Sequence, residues 1–123
     1  MKVLIIDDSS VARKTIALTV ESLGYDILEA KNGTDGLSIL AKEADQIALI
    51  MLDWNMPGLS GLEVLVEIRK APASKAIPVM MVTTEMERNN MVEAVKAGAN
   101  HYLTKPFTPE DLSVRVLQCL GVA

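Results

Sequence analysis

Strand-length apolar segments alternate with helical stripes along this chain, and that order points to a parallel sheet wrapped by helices. Continuous apolar runs occur at Val3–Ile6, Ile47–Leu52 and Val79–Val82, with weaker ones at Asp26–Ala30 and His101–Thr104. Runs of four to six apolar residues suit strands buried on both faces. Between them, Ala12, Ile16, Val20 and Leu23 form one helical stripe, and Leu37, Leu40, Ala41 and Ala44 another. Leu62, Leu65 and Val66 begin a third stripe, Met91, Val92 and Val95 a fourth, and Leu112, Val116, Cys119 and Leu120 a fifth. Ser60 with Glu63, and Thr108 with Pro109 and Asp111, read as helix starts. Gly24, Gly98 and Gly121 each follow a stripe, where a left-handed cap is expected. Parallel strands need crossover connections, so five β-α units predict an α/β, (βα)5 three-layer sandwich. Ala71–Ala76, the longest irregular stretch, reads as a helix-to-strand loop.

The polar residues fall in one kind of place. Asp7 and Asp8 end the first strand, Asp53 the third, Thr83 the fourth, and Lys105 follows the fifth. Open α/β sheets bind ligands at the carboxyl edge, where strand order reverses. In the order 2-1-3-4-5, the first and third strands are neighbours there, and the three carboxylates converge. Two like charges ~4 Å apart repel by about 4 kcal/mol at an effective dielectric near 20. A cation must offset that, and oxygen ligation suits Mg²⁺, which leaves positions for water and a phosphate oxygen. Lys105 adds a compact positive charge, so a carboxylate so flanked is a plausible nucleophile toward phosphorus. Taken singly, each residue has a plainer explanation: an Asp pair caps helices, an Asp before Pro-Gly makes a turn, and a Thr fills a strand. Their joint placement at four strand ends favours a site.

Composition removes other classes. The net charge of −4 from 12 basic and 16 acidic residues argues against wholesale nucleic-acid or anionic-membrane binding. Four aromatics among 123 residues are too few for base-stacking platforms. Cys119, the single cysteine, reads as a buried packing residue. The length suits one domain over 1–123. No secretory signal pattern is visible at the start, and no apolar run approaches the ~20 residues of a membrane span, so the expected location is the cytoplasm.

The ordered set of motifs resembles the receiver domain of two-component response regulators, most closely the stand-alone CheY-type chemotaxis receivers. It comprises Ile6-Asp7-Asp8, Asp53-Trp54-Asn55-Met56-Pro57-Gly58 with Ser60-Gly61-Leu62-Glu63, Thr83-Thr84-Glu85, Ala94–Ala99 and Lys105-Pro106-Phe107, and it spans essentially the whole chain. The resemblance implies a flavodoxin-like fold of order 2-1-3-4-5, the order known for CheY. It implies that Asp53 accepts a phosphoryl group from a sensor histidine kinase. Mg²⁺ would be contacted by Asp8, Asp53 and the Asn55 backbone carbonyl, and by Asp7 mostly through water. Lys105 would bind the acyl phosphate, Thr83 would shift toward one of its oxygens, and Tyr102 would turn inward behind it. Glu85, Arg88 and Met91 belong with the switch and output residues, and Lys105-Pro106 is expected to be cis. The output surface would be the fourth helix, fifth strand and fifth helix, binding a protein such as a flagellar motor switch component, with the chain itself a monomer lacking an output domain. Asn55 and Glu85 match chemotaxis receivers at positions that influence phosphate lifetime.

Other residues carry less. His101, the only histidine, reads as a partly exposed strand-end residue, and most of the seven methionines read as core. Trp54 is expected to be a half-exposed reporter beside Asp53. A phosphorelay intermediate is the nearest alternative. A magnesium phosphohydrolase of the haloacid dehalogenase kind places its nucleophile after the first strand with a second Asp two residues on, which Asp7-Asp8 and Asn55 do not supply. A flavodoxin-like flavin protein needs a Ser/Thr/Gly-rich phosphate cradle that is missing here.

Overall fold

Every one of the five apolar runs becomes a strand of a single parallel sheet in the computed structural model, which describes residues 1–84 and 88–121, with Arg88 and Asn89 described by backbone alone. The strands are β1 (Lys2–Ile6), β2 (Asp26–Ala30), β3 (Ile47–Leu52), β4 (Val79–Thr83) and β5 (His101–Thr104), in the order β2-β1-β3-β4-β5. The helices between and after them are α1 (Ser10–Ser22), α2 (Gly33–Glu43), α3 (Gly61–Lys70), α4 (Arg88–Lys96) and α5 (Pro109–Leu120). Among the described residues no helix is long and apolar enough to cross a membrane.

The period-two alternation of the strands divides the core between the two faces of the sheet. Leu4, Ile6, Ile50, Leu52, Val79 and Met81 point toward α2, α3 and α4, where Leu40, Val64, Leu65, Ile68 and Ala94 meet them. Val3, Ile5, Leu49, Met51, Met80 and Val82 point the other way, onto Ile16, Ala17 and Val20 of α1 and Leu112 and Val116 of α5. Burying a side chain of this size contributes roughly 1.5–3 kcal/mol, so the central strands hold most of the driving force. Cys119 is partly buried against the second face, where burial pushes its thiol up to about 11.

Two predicted stripes turn out differently. Met91, Val92 and Val95 are exposed on α4, Val95 by 64%, and the small residues Ala94, Ala97 and Ala99 meet the core instead. This short helix turns its small Ala94 to the core and its larger apolar residues outward. On α3 the buried set is Val64, Leu65 and Ile68, while Val66 faces outward and Leu62 is half-buried. The helix starts are as expected: Ser60 and Glu63 cap each other's backbone amides, as do Thr108 and Asp111, with Pro109 at the first turn. Gly24, Gly98 and Gly121 all have positive φ.

A single side chain staples the α3 side together. Arg69 donates through Nε and Nη2 to the Gly98 carbonyl at 3.1 and 2.7 Å, and through Nη1 to the Ile77 carbonyl at 2.7 Å. Its Nη2 also reaches Asn100 Oδ1 at 3.0 Å, which in turn accepts from the Val79 amide at 2.8 Å. Arg69 thereby ties α3 to the turns that precede β4 and β5. Removing it leaves partly buried carbonyls without a partner, so Arg69→Ala is expected to destabilise by about 2–3 kcal/mol in chemical denaturation. An unchanged denaturation midpoint would show that water replaces the guanidinium at no cost.

Candidate functional site

The carboxyl ends of β1 and β3 lie side by side, because Ile6 pairs with Leu52. One residue further on, the Asp53 amide donates to the Ile6 carbonyl at 3.0 Å, and the Asp7 amide to the Ala30 carbonyl at 3.1 Å. These backbone bonds carry Asp7 and Asp53 out of the sheet at neighbouring positions. Asp7, Asp8 and Asp53 each place a carboxylate oxygen within 4.8 Å of the others. Asp7 and Asp53 are buried and Asp8 is exposed, so the cluster opens to solvent on one side.

Asp7 is the most tightly held of the three. Its Oδ2 accepts from Lys105 Nζ at 2.9 Å, and its Oδ1 from the Ser9 amide at 2.9 Å. Lys105 thus pairs with Asp7 in this structure, leaving Asp53 with an incomplete counter-charge. Burial pushes the Asp53 carboxyl up to about 6, the negative charge on Asp7 adds to that, and Lys105 pulls it partly back; Asp8 raises it further, and a hydrogen bond from the Trp54 backbone lowers it. The donor set is entirely oxygen, carries up to three negative charges against one lysine, and has an open side. Such a set fits a hard divalent cation that keeps part of its water shell.

The other site residues arrive from the far strands. Thr83 is fully buried at the end of β4, and its carbonyl accepts from the Lys105 amide at 2.8 Å, linking the ends of β4 and β5. Lys105-Pro106 is a cis peptide bond. Asn55 is exposed and Trp54 is half-buried, packing against the first core face. Tyr102 on β5 is partly buried against the same face. Met91 stands on α4, 38% exposed. Glu85 lies outside the described residues, as does the side chain of Arg88. His101 is partly exposed at the start of β5, away from the carboxylates by the length of that strand.

Two further residues shape the site, Gly61, quoted above only as part of a motif, and Arg13, which no sequence pattern singled out. Gly61 begins α3 with its amide donating to the Trp54 carbonyl at 2.8 Å, so close that an added β-carbon would overlap the Asp53 carbonyl oxygen. Arg13, from α1, donates to the Asp7 carbonyl at 2.6 Å and pairs with Glu29 of β2 at 3.2 Å. The motif gives no sign of what Gly61 touches, and an arginine one turn into a helix is too common to attract notice before its contacts are seen.

Known proteins resemble this chain in sequence and in fold. Residues 3–117 match the response regulator receiver domain. The chain is 43% identical to the chemotaxis protein CheY1 of Helicobacter pylori, covering 98% of both chains. It is 40% identical to a chemotaxis protein CheY homolog of Campylobacter jejuni, over 98% of this chain and 93% of that one. A crystallographic neighbour, the chemotaxis response regulator CheY4 of Vibrio cholerae, superposes with a TM-score of 0.90 at 33% identity, covering 97% of this chain and 98% of that one. With the sheet order, the carboxylate cluster and near-complete coverage in agreement, the chain belongs to the response regulator receiver domain family and is a CheY-like receiver.

Proposed function

We propose that this chain is a phosphoacceptor switch in which Asp53 takes a phosphoryl group from a phosphohistidine on a sensor kinase. The convergence of Asp7, Asp8 and Asp53 beside Lys105 carries this reading. An Asp53 carboxylate oxygen forms the new bond to phosphorus as the phosphorus–nitrogen bond to the donor imidazole breaks, and the imidazole leaves with the electron pair. Asp7, Asp8, Asp53 and the backbone carbonyl of Asn55 would hold Mg²⁺. When bound, Mg²⁺ neutralises the carboxylates and templates the phosphate oxygens.

The chain's own groups then respond to the new charge. Phosphorylation adds nearly two negative charges and three strong acceptor oxygens at the sheet edge. Lys105 leaves Asp7 for a phosphoryl oxygen, and the Thr83 hydroxyl donates to another. The bond between the Lys105 amide and the Thr83 carbonyl couples these movements, and Tyr102 turns further inward. The altered surface is α4, β5 and α5, where Met91, Val92, Val95 and Val114 are exposed. Exposed apolar side chains on these elements suit a protein partner. Relatives named as chemotaxis proteins make a flagellar motor switch component the favoured target, the receiver surface itself carrying the signal.

Intact mass after incubation with Mg²⁺ and a small acyl-phosphate donor tests the acceptor. The wild type is expected to gain one phosphoryl group, and neither Asp53→Asn nor an EDTA-treated sample should. No gain, while Trp54 fluorescence still responds to Mg²⁺, would leave a metal site without the proposed chemistry.

A further inference from the structure

Each of the three carboxylates is held differently. Asp7 has both oxygens bonded, to Lys105 and to the Ser9 amide, and Asp53 accepts from the Trp54 backbone. Asp8 is exposed, and no described side chain holds its carboxylate. Its direction therefore depends on the backbone that carries it, above all on the peptide joining Asp7 to Asp8. That peptide lies just past the last β1–β2 pair, Ile6 with Ala30, so the Asp7 carbonyl has no ladder partner. Arg13 Nη1 supplies one at 2.6 Å, and the guanidinium is itself braced by Glu29 Oε1 on β2 at 3.2 Å. The Arg13 side chain is 17% exposed, so water competes weakly for this bond.

The geometry points to Arg13, braced by Glu29, as a positioning residue for the divalent-cation site: by fixing the Asp7–Asp8 peptide it sets the direction from which Asp8 reaches the ion. This inference rests on the metal-dependent phosphoacceptor reading above. It makes a prediction opposite in sign to simple electrostatics. Arg13 is a cation near three carboxylates, so deleting its charge alone would tighten the binding of a dication. Loss of an orienting partner weakens a metal site, commonly by ten- to a hundredfold. Mg²⁺ demands near-ideal octahedral geometry at short distances while Ca²⁺ tolerates irregular sites, so a misdirected Asp8 should harm Mg²⁺ more than Ca²⁺.

The test titrates wild type, Arg13→Ala and Arg13→Lys with Mg²⁺ and separately with Ca²⁺, followed by Trp54 fluorescence and by calorimetry at fixed ionic strength. Thermal midpoints in EDTA are recorded alongside. For Arg13→Ala, Mg²⁺ affinity is expected to fall about tenfold, with a smaller loss for Ca²⁺. Arg13→Lys keeps the charge, but one ammonium cannot span the Asp7 carbonyl and Glu29 together, so it should also bind Mg²⁺ more weakly than wild type. Arg13→Ala binding Mg²⁺ as tightly as wild type or more tightly would overturn the inference. So would an equal loss for both ions, which marks general loosening, or an Arg13→Lys variant indistinguishable from wild type. If Arg13→Ala is unfolded at the temperature of measurement, Arg13→Lys decides by the same criteria. A wild type that saturates with neither ion would sink the metal-site reading, and this inference with it.

Discussion

In EDTA at neutral pH, Asp53→Asn is expected to be more stable than wild type by on the order of 3 kcal/mol. Burial and the neighbouring Asp7 charge hold the Asp53 carboxyl at about 6, against 3.8 for an unperturbed group. Between those two values the folded chain keeps a proton that the unfolded chain has released. Stability therefore falls as pH rises from about 4 to about 6, and stays reduced above that. The amide cannot ionise, so this contribution vanishes in the variant and its stability profile over that window flattens. Mg²⁺ should act in the opposite direction, since a cation that binds only the folded state stabilises it. Urea denaturation at several pH values, with and without Mg²⁺, reads both effects. A wild type whose metal-free stability does not fall between pH 4 and 6 would show that the charge on Asp53 is already compensated, by Lys105 or by water. The same substitution that is expected to strengthen the resting fold removes the proposed nucleophile, as expected where an acidic cluster is kept for binding rather than for stability.

Gly61→Ala is expected to destabilise the chain by about 3 kcal/mol and to disturb Asp53 at the same time. Helix propensity alone predicts the reverse, because Ala exceeds Gly by ~1 kcal/mol inside a helix. Here the new β-carbon would overlap the Asp53 carbonyl oxygen and lie 2.8 Å from Trp54 Cα. Both are backbone atoms, anchored by the bonds from the Asp53 amide to Ile6 and from the Gly61 amide to Trp54, so neither can rotate away. Relief requires α3 to move off the sheet, which opens the contacts of Val64, Leu65 and Ile68 with the first core face. Thermal unfolding gives the sign directly, and Mg²⁺ titration shows whether the Asp53 loop has shifted. A rise in midpoint would mean that α3 yields without loss and that Gly61 is replaceable.

Local signals in the amino-acid order determined much of this molecule. Apolar runs of strand length, helical stripes, reciprocal Ser60–Glu63 and Thr108–Asp111 caps, and acidic residues at strand ends all depend on neighbours within a few positions, so they are visible in one dimension. The sheet and its order, with Asp7, Asp8 and Asp53 together at one edge, follow from that alternation and from the resemblance its motifs carry. The outward face of α4 was not visible. Met91, Val92 and Val95 are more apolar than Ala94, yet Ala94 is the residue the helix turns to the interior. Nor could the order of residues show that Lys105 rests on Asp7, that Gly61 touches the backbone of Asp53, or that Arg13 and Arg69 reach carbonyls on other elements. Those contacts join residues 6 to 98 positions apart, and only the packing of helices on the sheet brings such atoms within hydrogen-bonding distance. Local chemistry chose the elements and placed the carboxylates at their ends; tertiary packing brought Lys105 to Asp7, and with it set the charge that Asp53 presents.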